Sequence, residues 1–155
     1  MQVAHKRPAL QQGDICVVEK NREFLRDIYS DKHHLLADEP AEHHGHGSDQ
    51  GFDPYELLMA SLGACTSMTV RMYANHKGWP LDEVEVKLHH AKIHEDDGAG
   101  GTRTIDQVAR TVKIIGNQTP EQRDRLLDVA NKFPVYRTLT GQLRISSSLE
   151  FEVTA

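Results

Sequence analysis

The spacing of apolar side chains divides the first third of the chain into three short strands and a loop. Apolar and polar residues alternate along the second run, which is typical of a half-buried strand. The predicted strands cover residues 15–18, 24–29 and 33–37. Residues 38–52 are rich in Gly, His, Asp and Glu and predict a loop. The spacings favour a meander of three antiparallel strands before this loop.

A long helix is predicted directly after the loop. Asp53 is a suitable N-cap, Pro54 fits the first helical position, and Glu56 stands three residues after the cap. Apolar residues then recur at helical spacing as far as Gly78, which is a natural helix end. Gly63 lies within this run and could bend or interrupt the helix. An interruption would place the following residues near a new helix N-terminus.

The rest of the chain predicts two strands, a helix and a final strand. Alternation predicts strands over 84–94 and 108–115, joined by a hairpin-type connection at 95–104. Thr119 and Pro120 begin a helix that Pro134 ends, and residues 145–153 alternate again. The element order indicates an α+β fold with mainly antiparallel sheets. So few helices cannot cover both faces of the sheet, which leaves room for a partner subunit.

Length and charge narrow the class of protein. The chain has 155 residues and a mass of 17.5 kDa, which suits one domain over residues 1–155. Its 18 basic and 23 acidic residues give a net charge of −5, so nothing favours a nucleic-acid or anionic-membrane partner. No apolar run approaches the ~20 residues that span a bilayer, and the N-terminus lacks a signal-peptide pattern. We therefore expect a cytoplasmic protein.

The two cysteines, Cys16 and Cys65, exclude a disulfide-rich scaffold and a multi-cysteine zinc site. Cys65 lies on the apolar stripe of the long helix, where a cysteine is most often an inert core residue. A reactive thiolate there would need a nearby cation, a base or a helix N-terminus. Glu56 precedes it by nine residues, about 13–14 Å along a straight helix. The two side chains meet only if the helix bends or a partner chain intervenes.

Ten histidines raise the question of a metal site. The segment His43-His44-Gly45-His46 could hold zinc or nickel loosely, but a solvated polar loop is favoured because no cysteine ligands accompany it. The pairs 33–34 and 89–90 are adjacent on strands, so their side chains point to opposite faces. Glycine-rich nucleotide motifs, HExxH and GxSxG are absent from the sequence. We predict no metal and no cofactor.

Five short motifs together resemble the OsmC/Ohr superfamily, the osmotically inducible and organic hydroperoxide resistance proteins. They are DEP at 38–40, PYELL at 54–58, LGACTSMT at 62–69, RMYA at 71–74 and GWPL at 78–81. The pattern is most similar to an uncharacterised OsmC-like branch. The resemblance implies an intertwined α+β homodimer with the long helices at its interface and two active sites between the subunits.

The resemblance also implies a chemistry for Cys65. Catalytic members use a peroxidatic cysteine on the central helix to attack the O–O bond of an organic hydroperoxide, and a second cysteine captures the sulfenic acid. Cys65 matches the peroxidatic position. Phe133, in Phe133-Pro134-Val135-Tyr136, stands where the second cysteine is expected, so the usual intramolecular disulfide is unavailable. The activating glutamate's position is occupied by Tyr55, with Glu56 next to it.

The cation that would activate the thiol is not identified by spacing. No arginine matches the superfamily's position, and the candidates are Arg26, His44, His46 and Arg137.

Two functions remain open. The first is a one-cysteine peroxidase that reduces organic hydroperoxides through Cys65 and Glu56 and is restored by an external thiol. The alternative is a non-catalytic dimer that binds a small apolar ligand between its subunits. Four residues are candidates for lining the pocket: Tyr55, Phe133, Tyr136 and Arg137. A redox-sensor role has no interaction motif to support it.

Overall fold

The computed structural model describes residues 6–42 and 45–153. The chain forms two compact units, residues 1–60 and residues 61–155. Both units contain antiparallel sheet, and the chain as a whole mixes sheets with helices. The predicted α+β class is therefore confirmed. No helix among the described residues has the length and apolar character needed to cross a membrane.

A three-stranded antiparallel sheet forms the first unit. Its strands are β1 (Cys16–Glu19), β2 (Arg26–Tyr29) and β3 (His34–Ala37), in the order β1-β2-β3. The predicted meander is confirmed, with strands of four residues each. Asp27 is buried in β2 and pairs with Lys20 at 3.0 Å and with His34 at 2.7 Å. These partners satisfy a carboxylate that would otherwise be costly to bury.

The loop after β3 is organised around the buried side chain of Asp38. Its carboxylate accepts hydrogen bonds from the Ser48 hydroxyl at 2.6 Å and from the backbone N–H groups of Glu39, Ser48 and Gln50 at 2.8–3.2 Å. Burial alone would raise the pKa of Asp38, but these hydrogen bonds lower that pKa below 3.8. The predicted loop is confirmed. Its residues 43 and 44 lie outside the described part of the chain.

One uninterrupted helix, α1 (Pro54–Lys77), follows the loop. The predicted start and end are confirmed, and Gly78 ends the helix with φ +65°. The sequence left open an interruption at Gly63, and the helix continues through this residue. A Cβ at this position would lie 2.8 Å from Leu88 Cδ1, so glycine serves the close approach of a strand. Cys65 is therefore in mid-helix and gains nothing from a free helix N-terminus.

The second unit contains a long hairpin of β4 (Glu83–Asp96) and β5 (Thr102–Ile115). The connection is shorter than the predicted 95–104, because the ladder continues as far as Asp96 opposite Thr102. Gly98 and Gly100 have positive φ in the turn, and the Asp97 carboxylate accepts backbone N–H groups there. The tight glycine turn leaves more residues for pairing than the sequence pattern suggested.

Two helices follow the hairpin. The first, α2 (Pro120–Ala130), begins at a capping box in which Thr119 and Gln122 exchange hydrogen bonds, as predicted. Its residues Leu126 and Ala130 pack in the core of this unit with Val70, Ala74 and Leu81. The second, α3 (Pro134–Thr140), was not predicted. Pro134 begins this helix and does not end α2, because proline fits the first helical turn.

The predicted final strand over 145–153 is not formed. Residues 142–153 are neither helix nor strand, and none of them pairs with β4 or β5. Ile145, Leu149 and Phe151 are 81–88% exposed, although their alternation with polar residues persists. The pattern is that of a strand, but a strand also needs a neighbouring backbone to bond with.

Candidate functional site

Cys65 lies on a side of α1 that exposes apolar side chains. Leu58, Met68 and Met72 lie three or seven residues from it and share its side of the helix. Met68 is 71% exposed and Met72 is 59% exposed, whereas Cys65 itself is half-buried. Elsewhere on the circumference of α1, Val70 and Ala74 are fully buried. The helix is therefore apolar on two sides, and the one that carries the thiol is uncovered in the single chain.

The residue after Cys65 is held by two hydrogen bonds. Thr66 is buried, and its hydroxyl donates to the carbonyl of Leu62 at 2.7 Å. The same oxygen accepts a 3.0 Å hydrogen bond from the Nη1 of Arg110. These contacts leave no polar atom of the threonine unsatisfied. They also attach the turn of α1 that bears the thiol to strand β5.

Arg110 joins three helices through one half-buried guanidinium. Besides Thr66 on α1, it donates to the carbonyl of Ala130 at 3.2 Å and to the side-chain oxygen of Asn131, at the end of α2. Its planar group also lies over the ring of Tyr136 on α3, 5.3 Å from the ring centroid. This arrangement brings the predicted pocket residue Tyr136 to the same cation as the neighbour of Cys65.

Sequence reasoning missed Arg110, although a signal for it was present. Val108, Arg110 and Val112 alternate on one face of β5, so the arginine occupies a position where the pattern calls for an apolar residue. A charged side chain at such a position needs a specific set of acceptors. The sequence search instead looked for an arginine at the superfamily's spacing.

None of the four residues predicted as the activating cation is described in contact with Cys65 or Thr66. Arg26 donates to the carbonyls of Glu23 and Leu25 at 2.7 and 2.9 Å, within the first unit. The ring of His46 meets the edge of Phe24, with 5.8 Å between centroids. Arg137 is exposed on α3. His44 lies outside the described residues.

Glu56 forms the capping box predicted for it. Its Oε2 accepts the N–H of Asp53 at 2.9 Å, and the Asp53 Oδ1 accepts the N–H of Glu56 at 2.8 Å. It also lines an open cavity of about 340 Å³ with residues 49–52 of the loop. Tyr55, beside it, is 50% exposed. Both residues belong to the first unit, whereas Cys65 belongs to the second.

Phe133 is half-buried and is the residue immediately before α3. Its carbonyl accepts the N–H of Arg137 at 2.9 Å, which begins the helical hydrogen bonding. Tyr136 is half-buried one turn later, where it meets Arg110. Phe133, which the sequence analysis matched to the superfamily's second cysteine, thus stands at the start of the helix that Arg110 contacts.

The described residues offer no assembled metal site. Across 6–42 and 45–153, no three His, Cys, Asp or Glu side chains gather closely enough to hold a metal ion. Cys16 and Cys65 are both free thiols, and Cys16 lies in β1. The histidine cluster at 43–46 falls partly outside the described residues.

Comparison with protein families identifies the family of the chain. The sequence model for OsmC-like proteins matches residues 45–148, which is more than half of the chain. The chain belongs to this family. The matched region contains Cys65, Arg110 and the segment from Phe133 to Arg137. A comparison with curated protein sequences gave no match.

Solved structures show the same OsmC-like fold. An OsmC-like protein from Mycoplasma pneumoniae is 20% identical, with a TM-score of 0.66 over 84% of this chain and 89% of that one. An organic hydroperoxide resistance protein OsmC from Legionella pneumophila is 18% identical, with a TM-score of 0.61 over 86% and 93%. The organic hydroperoxide resistance protein OhrB of Bacillus subtilis is 16% identical, with a TM-score of 0.53 over 83% and 91%. At these identities the similarity establishes the fold.

Proposed function

We propose that this OsmC-like protein reduces organic hydroperoxides through a one-cysteine mechanism at Cys65. The observation that carries the proposal is the position of this thiol, half-buried on an uncovered apolar side of α1 and next to a threonine bonded to Arg110. An apolar surface suits the organic part of the substrate, and the bond between Thr66 and Arg110 anchors the turn that carries the thiol to β5. The names of the similar structures from Legionella and Bacillus agree with this substrate class.

The proposed reaction balances with a thiol as the only reductant. The Cys65 thiolate attacks the terminal oxygen of ROOH, an S–O bond forms, the O–O bond breaks, and the alkoxide leaves and takes a proton to become ROH. Cys65 is now a sulfenic acid. One external thiol condenses with it to a mixed disulfide and releases water, and a second thiol restores Cys65 as a new disulfide is formed. A second protein cysteine is not needed, which agrees with Phe133 at the second-cysteine position.

The site that we propose is completed by a second copy of the chain. The uncovered side of α1, with Met68 and Met72, is the surface that a homodimer would bury. Because α1 is unbroken, Glu56 lies nine residues from Cys65 of its own chain, so in this proposal the partner subunit supplies the carboxylate. Tyr55, Phe133, Tyr136 and Arg137 line the pocket in this arrangement. Each subunit then acts as one OsmC-like domain over residues 1–155, in the reducing cytoplasm where thiols are available.

The test measures loss of cumene hydroperoxide with and without dithiothreitol. We expect the wild type to consume about one equivalent per Cys65 without thiol, to yield a trappable sulfenic acid, and to turn over when thiol is added. Cys16→Ser is the matched control and should behave as the wild type. Hydroperoxide loss in Cys65→Ser at the wild-type rate would overturn the proposal.

The alternative is a non-catalytic dimer that binds an apolar ligand, and the aromatic Phe133 at the second-cysteine position favours it. This alternative predicts a thiol that does not react with cumene hydroperoxide and a melting temperature raised by a probe such as dodecanoate. A reactive thiol with no ligand-induced shift would exclude it.

A further inference from the structure

We propose that Cys65, Met68 and Met72 form a binding site for a soft monovalent metal ion, Cu(I), on the uncovered side of α1. The ligands are one thiolate and two thioethers, all carried by a single helix. The site shares Cys65 with the proposed function but does not depend on that function.

The three sulfur-bearing residues form a row along α1. They are spaced by three and then four residues, and each residue of an α-helix turns the chain by about 100°. Met68 and Met72 therefore project within about 60° of the direction of Cys65. Side chains at such spacings are neighbours on a helix surface, with Cβ atoms about 5–6 Å apart. Because α1 is unbroken from Pro54 to Lys77, the backbone keeps the row in register.

The sulfur atoms of this row belong to residues that solvent reaches in the single chain. Met68 is 71% exposed and Met72 is 59% exposed, and Cys65 is a half-buried free thiol. A methionine side chain has three rotatable bonds, so its sulfur can turn toward an ion without any movement of the backbone. A metal ion can therefore collect the three ligands from one side of the helix.

The donor set selects a soft ion. Thiolate and thioether sulfur favour Cu(I), whereas Mg²⁺, Ca²⁺ and Mn²⁺ prefer carboxylate and carbonyl oxygen. No acidic residue occurs in the sequence between Glu56 and Asp82, so this stretch of chain offers no carboxylate. The row continues one turn beyond Met72 to His76, which adds a single nitrogen donor. One thiolate and one imidazole fall short of the four ligands of a structural zinc site.

The charge of the filled site also fits Cu(I). On binding, the S–H bond of Cys65 breaks, a Cu–S bond forms and the proton passes to solvent, with no change of oxidation state. The thiolate and Cu(I) cancel, and the thioethers are neutral. The filled site therefore has no net charge, which suits a helix side that also carries Leu58. A divalent ion would leave a net positive charge there, which is costly in apolar surroundings.

The experiment measures the affinity for Cu(I) by competition with bicinchoninate, without oxygen and with ascorbate, in a Cys16→Ser background. We expect one Cu(I) per chain. Met68→Leu and Met72→Leu should each weaken binding about tenfold, and the double variant should weaken it further. Leucine keeps the apolar surface and nearly the volume of methionine, so these variants remove only the sulfur.

Met59→Leu is the matched control on the same helix. Met59 lies six residues before Cys65, which places it about 120° away around the helix, and it is half-buried. We expect its affinity for Cu(I) to match that of the background protein. Circular dichroism checks that each variant is folded. If the double variant fails to fold, the two single variants carry the comparison.

Two results would overturn the proposal. If the folded thioether variants bind Cu(I) as tightly as the background protein, the thiol binds copper alone and the row is not a site. If Zn²⁺ binds with the same dependence on Met68 and Met72, the site does not select a soft ion.

The outcomes also separate this inference from the proposed function. If Cu(I) binding depends on both methionines but cumene hydroperoxide is not consumed, the copper site stands and the peroxidase proposal fails. If hydroperoxide is consumed but the thioether variants keep full affinity for Cu(I), the peroxidase proposal stands and the copper site fails.

Discussion

The guanidinium of Arg110 donates a 3.0 Å hydrogen bond to the hydroxyl of Thr66, the residue that follows Cys65 on α1. Thr66→Val keeps the shape of the side chain but removes this acceptor from a buried site. We expect the variant to lose about 1–2 kcal/mol of unfolding free energy, because a buried donor loses its partner. Urea unfolding followed by circular dichroism measures the loss.

Coupling between the two residues is tested with a double-mutant cycle of Thr66→Val and Arg110→Met. The effects should not add, since each substitution already breaks the shared hydrogen bond, and the coupling should be about 1 kcal/mol. Additive free energies would show that the bond contributes nothing to stability.

A charge on the uncovered side of α1 should prevent dimer formation. Met68 is 71% exposed in the single chain, and burying a glutamate there against a partner would be costly. We expect the wild type to sediment at twice the 17.5 kDa chain mass and Met68→Glu to sediment as the monomer. Analytical ultracentrifugation distinguishes these states.

Ala99→Glu, in the exposed hairpin turn, adds the same charge and serves as the control. It should remain dimeric. A monomeric wild type at micromolar concentration would contradict the dimer itself, and a dimeric Met68→Glu would place its interface elsewhere.

The size of the side chain at position 63 should matter more than its helix propensity. Gly63→Ala gains about 1 kcal/mol of helix propensity, while its Cβ displaces only the flexible end of Leu88. We expect its stability to stay within about 1 kcal/mol of the wild type. Gly63→Val pushes further into β4 and should destabilise by about 2 kcal/mol.

Ala64→Val provides the reference for valine in this helix, because Ala64 is exposed. Thermal unfolding of the three variants is the measurement. If Gly63→Val is no less stable than Ala64→Val, the approach of β4 is not the reason for the glycine.

Asp27 should make the first unit sensitive to acid. Burial opposes the charged form, but hydrogen bonds and attraction from Lys20 and His34 outweigh it and lower the pKa of Asp27 below 3.8. A carboxyl group whose folded pKa is depressed contributes stability above its unfolded pKa, and that stability is lost as pH falls through the folded value.

The difference in unfolding free energy between the wild type and Asp27→Asn should therefore be largest near pH 7 and should shrink below about pH 3.8. Urea unfolding at a series of pH values measures it. Asp31→Asn, at an exposed turn, is the control and should show a small difference throughout. A constant difference for Asp27→Asn across the series would contradict the assignment.

Local signals in the sequence were sufficient for most of the elements. The capping pairs Asp53–Glu56 and Thr119–Gln122 act within four residues, so helix starts could be predicted and were confirmed. Alternation and short apolar runs between turn residues likewise indicated β1 to β5. Residues 145–153 show the limit of this reasoning, because alternation describes a strand's two faces but supplies no neighbouring strand.

The candidate site was predicted only in part. Cys65, Tyr136 and Phe133 came from motifs that lie in contiguous sequence, and the capping role of Glu56 came from its spacing. The role of Gly63 stayed open in the sequence because its reason lies in Leu88, 25 residues away along the chain. Sequence distance conceals contacts of this kind.

The sequence by itself determined most of the element types and the family, because these depend on spacing and on short motifs. Only the tertiary structure decided which cation lies beside the turn of Cys65. Arg110 and Thr66 are 44 residues apart and meet because β5 packs against α1. Such a pairing depends on the fold of the whole unit, since a guanidinium reaches a hydroxyl only where the backbone brings the charge and the acceptor together.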